Sequence, residues 1–143
     1  MDGEVETSNA AASRLFRGVA PSLNVDKSAI EAAEFYKRAF AAKELSRFPS
    51  DDGKKLMNCQ LEVNGGLIMI SDCFPERGYA FQPSHSFSLT LLVDDGDFWW
   101  GRAVEAGCEV EMPFQRMFWG DRWGMLRDPY GVRWAIDEPA RPA

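Results

Sequence analysis

Histidine is almost missing from this chain: His85 is the single one in 143 residues. Catalytic zinc and iron centres draw on several imidazole or carboxylate ligands, so a histidine-rich metal site within one chain is excluded at the outset. Basic clusters are lacking too. With 16 Lys and Arg against 22 Asp and Glu, the net charge is −6, and no positive run exists to neutralise phosphates, which argues against a nucleic-acid partner. The mild acidity serves solubility and would suit a cationic ligand. No window approaches the roughly 20 apolar residues that span a bilayer, and the N-terminus lacks the charged, apolar, small-residue pattern of a secretion signal. No membrane partner is therefore expected, and the reading is a soluble, cytoplasmic protein. Cysteine is scarce: Cys59, Cys73 and Cys108 are an odd number at no metal-like spacing, which reads as reduced thiols.

What the chain does hold is a repeated pattern. Apolar residues make up 45 % of it, enough for a core in one domain of this length. The most informative stretch is Phe118-Trp119-Gly120-Asp121-Arg122-Trp123-Gly124, followed at once by Met125-Leu126-Arg127-Asp128-Pro129-Tyr130-Gly131-Val132-Arg133-Trp134. Two alternating apolar runs are joined there by Asp-Pro-x-Gly. Pro129 presets φ at one turn position and Gly131 can take positive φ, so the segment predicts a strand, a tight turn and a strand. A weaker copy lies upstream, where Leu61 to Asp72 aligns without gaps on Leu126 to Asp137, with leucine, glycine and aspartate in register. Leu23-Asn24-Val25-Asp26 likewise echoes Leu91-Leu92-Val93-Asp94. Two similar units follow from these echoes.

Residues 1–17 are acidic, rich in Ser and Ala and without periodicity, and read as a mobile tail. A strand is predicted over 18–25. Ser28 and Glu31 have capping-box spacing, and Ala29, Ala33, Tyr36 and Phe40 share one face of a helix over 28–41. Strands over 43–48, 55–63 and 66–71 complete the first unit. A linker loop over 73–85 carries Phe74, Tyr79 and Phe81, aromatics that need something to pack on. The second unit repeats the order with a strand over 86–93, a helix over 97–106 closed by Gly107, a strand over 108–117 and the two strands of the opening motif. Trp99 and Trp100 are expected to face the sheet as core. The predicted architecture is one α+β domain over 18–139. It consists of two β-α-β-β-β modules, about 18–72 and about 86–139, forming curled mixed sheets around a cavity.

Paired β-α-β-β-β modules together with Trp-Gly-Asp-Arg-aromatic-Gly and Asp-Pro-aromatic-Gly-x-x-Trp resemble the vicinal oxygen chelate superfamily of glyoxalases, bleomycin-resistance proteins and extradiol dioxygenases. The look is nearest to its PhnB-like branch, labelled as resembling 3-demethylubiquinone methyltransferases. Ala33-Glu34-Phe35-Tyr36 and Ile68-Met69-Ile70-Ser71-Asp72 support it. The resemblance implies a cavity between sheets and, in the metal enzymes, a divalent ion on His, Gln or Glu from the first and last strands of each module. Carried onto this chain, the last-strand glutamate falls on Ala135 and, through the gapless repeat, on Ile70; the first-strand ligands fall near Ala20 and Ser88. None of these is a good metal ligand, so no metal and no other cofactor is expected. The branch commonly reads Met-His-Ala-Glu-Leu on its third strand, where this chain has Met57-Asn58-Cys59-Gln60-Leu61. Asn58 and Gln60 can hydrogen-bond a ligand but cannot act as a general base near neutral pH.

Alternation puts Arg133, Ala135 and Asp137 on the face of the lost glutamate, towards the cavity. Arg133 is then a candidate for an anion or carbonyl contact, or else a surface arginine paired with Asp137 or another carboxylate. Asn24, Ser22, Asn58 and Gln60 either line the same cavity or form an exposed sheet face. Trp119 and Trp123 either wall a pocket or serve core packing or a dimer contact. Asp121 reads as a turn residue, and His85 as an exposed one. The candidate ligand-binding set is Asn24, Asn58, Gln60, Trp119, Trp123 and Arg133. The resulting expectation is a glyoxalase-like, PhnB-like homodimer with a small-molecule cavity and its usual metal ligands lost. Its alternative is a bleomycin-resistance-type protein that sequesters a drug or metabolite without catalysis. A purely structural dimer is the third possibility.

Overall fold

Leu23 and Val25 are buried while Ser22 and Asn24, alternating with them, are exposed, so the first strand presents one apolar edge to the core and one polar edge away from it. The computed structural model of the protein describes residues 14–140; residues 1–13 of the expected tail lie outside that range. Within it the chain runs β1 (Ser22–Val25), α1 (Ala29–Phe40), β2 (Lys43–Pro49), β3 (Leu56–Val63), β4 (Gly66–Asp72), a short 3-10 turn (Pro75–Arg77), β5 (Leu89–Leu92), α2 (Gly96–Ala106), β6 (Glu109–Arg116), β7 (Arg122–Arg127) and β8 (Arg133–Glu138). The strands form two four-stranded mixed sheets of identical order, β1-β4-β3-β2 and β5-β8-β7-β6. In each, the first strand pairs in parallel with the last, and the other pairings are antiparallel. The expected α+β architecture of two β-α-β-β-β units is the one observed.

Two strands start later than expected. Gly18 takes φ +67° and Val19 is fully exposed, so pairing begins only at Ser22, opposite Met69. The strand expected from residue 86 pairs only from Leu89, opposite Trp134. Trp99 and Trp100 lie half-buried at the rim of the core rather than inside it.

The gapless repeat also slips by one residue at its turn. Leu61 pairs with Ile68 and Leu126 with Trp134, so the counterpart of Ala135 is Met69 and not Ile70. The cause is turn length. Asn64 and Gly65 close the first hairpin between paired Val63 and Gly66, whereas Asp128 to Val132 all lie between paired Arg127 and Arg133. A shift of one residue in a strand exchanges its two faces. Ile70 is accordingly buried under the helices, while Met69 stands on the opposite side.

Correct registration exposes a device common to both halves. Asp72, at the end of β4, accepts hydrogen bonds from the Ala29 N–H at 2.8 Å and the Leu56 N–H at 2.7 Å. Glu138, at the end of β8, accepts from the Gly96 N–H at 2.9 Å. In each module a last-strand carboxylate thus satisfies the first amide of that module's helix, where the helix dipole also favours negative charge. Ser28 and Asp95 add side-chain caps by accepting from the Glu31 and Phe98 N–H groups.

The core fills the space between the helices and the helix-facing sides of the sheets. Its centre joins the modules: from α1, Phe40 packs on Trp134 of β8 with ring centroids 4.3 Å apart, and Tyr36 lies 5.4 Å from the same ring. Asp128, 3 % exposed, accepts four hydrogen bonds there, from Tyr36 Oη at 2.6 Å, Trp134 Nε1 at 2.9 Å and the amides of Tyr130 and Val132. Burial pushes its carboxyl up, and the four donors pull it back part of the way. Tyr36→Phe removes one donor without changing the packed volume. A hydrogen bond to a charged group contributes about 1.5–3 kcal/mol, so the variant's urea midpoint is expected to fall accordingly with an unchanged slope. A midpoint equal to that of the parent would show that this bond does not hold the modules together.

Candidate functional site

Alternation divides each sheet into a helix side and an open side. On the open side of the first sheet stand Ser22 and Asn24 of β1, Met69 and Ser71 of β4, and Asn58 and Gln60 of β3. On that of the second stand Arg133, Ala135 and Asp137 of β8, with Met125 and Trp123 of β7 opposite the last two. The two sheets approach each other where β1 meets the start of β8. A cavity of about 220 Å³ opens there, walled on its third side by the loop that follows the 3-10 turn.

Asn24 and Arg133 line this cavity together with Ser22, Gln82 and Ser84. The Asn24 amide donates to Ser71 Oγ at 2.9 Å and more weakly to the Asp72 carbonyl, which holds it across the sheet. Apolar walls come from Leu23, Val132, Phe81 and Phe87. The Phe81 ring lies over Gly131, where a Cβ would come within 2.3 Å of its Cζ, and Gly131 also takes φ +87°. The turn glycine thus serves both the hairpin and the seating of the loop. Phe81, Gln82, Ser84 and Phe87 were not among the candidate residues; their one signal in the sequence is aromatic content in a loop.

Arg133 donates from Nε to Glu111 Oε2 at 3.1 Å, and Arg127 donates from its own Nε to the other oxygen at 2.7 Å. Burial pushes the Glu111 carboxyl up, but the hydrogen bonds from Arg127 and Arg133 outweigh it, leaving it below the usual carboxylate range. The counter-charge of Arg133 is therefore Glu111 rather than Asp137. Asn58 and Gln60 share the open side of β3 but do not reach the cavity lining; Gln60 accepts from Ser46 Oγ at 2.5 Å. Trp119 and Trp123 lie apart from it as well, edge to face at 6.3 Å, with Phe118 against Trp119 and nearly fully exposed. His85 is exposed and outside the lining. Burial pushes the thiols of Cys59 and Cys108 up to about 11 and about 12, so neither is a thiolate at neutral pH.

The resemblance puts its metal positions on the same faces, but Ala20 and Ser88, near which the first-strand positions were expected, both precede the paired strands, so the first-strand residues facing the last strands are Ser22 and Thr90. Ser22 lies opposite Met69, and Thr90 opposite Ala135. Two hydroxyls, a thioether and a methyl group do not make a ligand set for a hard or borderline divalent ion. Among the described residues no group of three or more His, Cys, Asp or Glu side chains stands close enough to hold one. Among them, too, no helix is long and apolar enough to cross a membrane.

Two modules of one order, each with an open sheet face beside a shared cavity, define a protein of the paired-module class. Within that class the chain belongs to the Glyoxalase/Bleomycin resistance protein/Dioxygenase superfamily, whose family model matches residues 23–136. It is 36 % identical to an uncharacterised protein from Mycobacterium bovis, over 86 % of this chain and 84 % of that one. Among solved structures it resembles a Pseudomonas aeruginosa protein at 26 % identity and a TM-score of 0.69, over 87 % and 99 % of the two chains. A PhnB protein from Bacillus cereus shares the fold at 21 % identity and a TM-score of 0.67, over 86 % and 100 %.

One further pair on the open side titrates in an accessible range. Burial, and a hydrogen bond its protonated form donates to the Asp121 carboxylate, push the Asp137 carboxyl up to about 6, whereas the Ala140 N–H and Asp137 hold Asp121 below its ordinary value. Asp137 Oδ1 is buried with no hydrogen-bond partner among the described residues, which disfavours its charged form. The folded state keeps this proton up to about pH 6, whereas an unfolded aspartate loses it near about 4. The stability the proton provides is thus complete below about pH 4 and lost as pH rises to about 6. Asp137→Asn is expected to flatten the stability profile across that window and to raise stability above it, measured as urea midpoints at pH 4 to 8. An unchanged profile would show that Asp137 does not hold its proton above the ordinary carboxylate range.

Proposed function

We propose that this chain binds a small organic molecule in the cavity between β1 and β8 and does so without a metal at the superfamily's usual position. The single observation that carries the reading is the donor set there: Ala135 offers no donor atom, and Met69, Ser22 and Thr90 offer only a thioether and hydroxyls. A volume of about 220 Å³ is below the roughly 300 Å³ of drug-sized pockets and suits a metabolite-sized ligand. Between catalysis and sequestration, the lining favours sequestration. Among the described residues it contains no carboxylate, histidine, thiol, lysine or tyrosine, and its one charged group, Arg133, offers hydrogen-bond donors and no acceptor. Three unpaired thiols suit the reducing cytoplasm.

The same reading includes a homodimer. Phe48, Leu92 and Met112 stand on the open faces and are 56 %, 61 % and 46 % exposed, so a second copy has apolar surface to cover. Obligate interfaces of this kind bury at least about 2,000 Å². Sedimentation at micromolar concentration is expected to give twice the chain mass of 16.1 kDa. A monomer at that concentration would overturn the pairing.

Elemental analysis of protein purified without chelator tests the metal-free reading directly. Zinc, nickel, manganese and iron are each expected far below one ion per chain. A stoichiometric ion, lost in Asp137→Ala, would overturn it.

A further inference from the structure

The cavity between β1 and β8 has one formal charge on its walls, and that charge is only partly spent. Arg133 engages Glu111 through Nε alone, and neither Nη1 nor Nη2 has a hydrogen-bond partner among the described residues. Glu111 is itself divided between two guanidinium groups, since Arg127 holds its other oxygen. Two cations on one anion leave a net positive charge, with the planar fork of Arg133 free at the cavity wall. A fork of this geometry matches the two oxygens of a carboxylate.

The remaining lining agrees. No acidic side chain is part of it, so nothing on the walls repels an anion. Ser22 and Gln82 make no side-chain hydrogen bond among the described residues and can turn their donors inward, while Phe81, Phe87, Leu23 and Val132 offer an apolar wall for a short hydrocarbon or aromatic body. The net charge of −6 on the whole chain opposes an incoming anion from afar, but at physiological salt the screening length is about 8 Å. The contact charge of Arg133 outweighs it inside the cavity. We infer that the ligand of this cavity is a small organic monoanion, a carboxylate on a short apolar or aromatic body, with Arg133 as its counter-charge. The inference rests on the ligand-cavity reading above and names the class of molecule that reading leaves open.

Phenylacetate, its neutral isostere 2-phenylacetamide and the cation benzylamine separate the possibilities on the full chain, with binding followed by amide chemical shifts of Val132 and Phe87 and by calorimetry. Phenylacetate is expected to bind saturably and at least tenfold more tightly than 2-phenylacetamide or benzylamine. In Arg133→Met that preference is expected to vanish, with 2-phenylacetamide binding unchanged; in Arg133→Lys it is expected to be reduced but present. Glu111 keeps Arg127 in both variants, so melting temperatures close to that of the parent are expected and check that each has folded. If 2-phenylacetamide or benzylamine shifts the cavity amides as tightly as phenylacetate, or Arg133→Met binds phenylacetate like the parent, the anion assignment is overturned and the cavity reading stands. If none of the three probes shifts the cavity amides at tens of millimolar, both are overturned.

Discussion

A buried carboxylate holds this molecule's two halves in one geometry. Asp128 sits in the β7–β8 turn, is enclosed on all sides, and takes donors from its own turn, from the Trp134 indole and from the Tyr36 phenol of the other module. An unpaired carboxylate in that position would be strongly destabilising, so the surrounding groups are constrained together. The turn is fixed by its own amides, β8 is fixed by the indole, and α1 is fixed against the second sheet by the phenol. Arg133 follows the turn immediately, so its guanidinium is delivered to the cavity by the network that joins the modules.

The architecture was legible because its signals are local and occur twice. Alternating apolar runs, Ser28 before a helical face, Gly107 after one, and Asp-Pro-x-Gly between two strands each carry their meaning within a few residues. Hairpin register was legible only up to the turn. Leucine, glycine and aspartate match across the two copies without a gap, yet the second turn is longer by a residue, and only the pairing of Leu61 with Ile68 and of Leu126 with Trp134 reveals it. The matching aspartates Asp72 and Asp137 do different things as a result. Asp72 caps a helix, whereas Asp137 stands on the open face opposite Trp123, and the true partner of Asp72 is Glu138.

The cavity was legible in part, for a different reason. Asn24 and Arg133 come from strands far apart in the chain, and alternation gave each the correct side of its sheet. Alternation does not say where along a sheet two faces approach, so Asn58 and Gln60, on the same side as Asn24, stand away from the cavity. Nor does it speak for a loop: Phe81 enters the wall because Gly131 has no side chain to keep it out. The partner of Arg133 was equally out of reach, since Glu111 lies on β6, two strands from β8 in the sheet.

The parallel pairing of first with last strand in each module bears on how the chain could be rearranged. Because β1 closes on β4 and β5 on β8, every backbone ladder is completed within its own half, and the only covalent tie between halves is the stretch from Cys73 to Ser88. Two copies could therefore trade halves without opening a single ladder; the Tyr36 to Asp128 bond and the aromatic stack around Trp134 would simply re-form between chains. A cut anywhere in this linker would leave both sheets intact for the same reason.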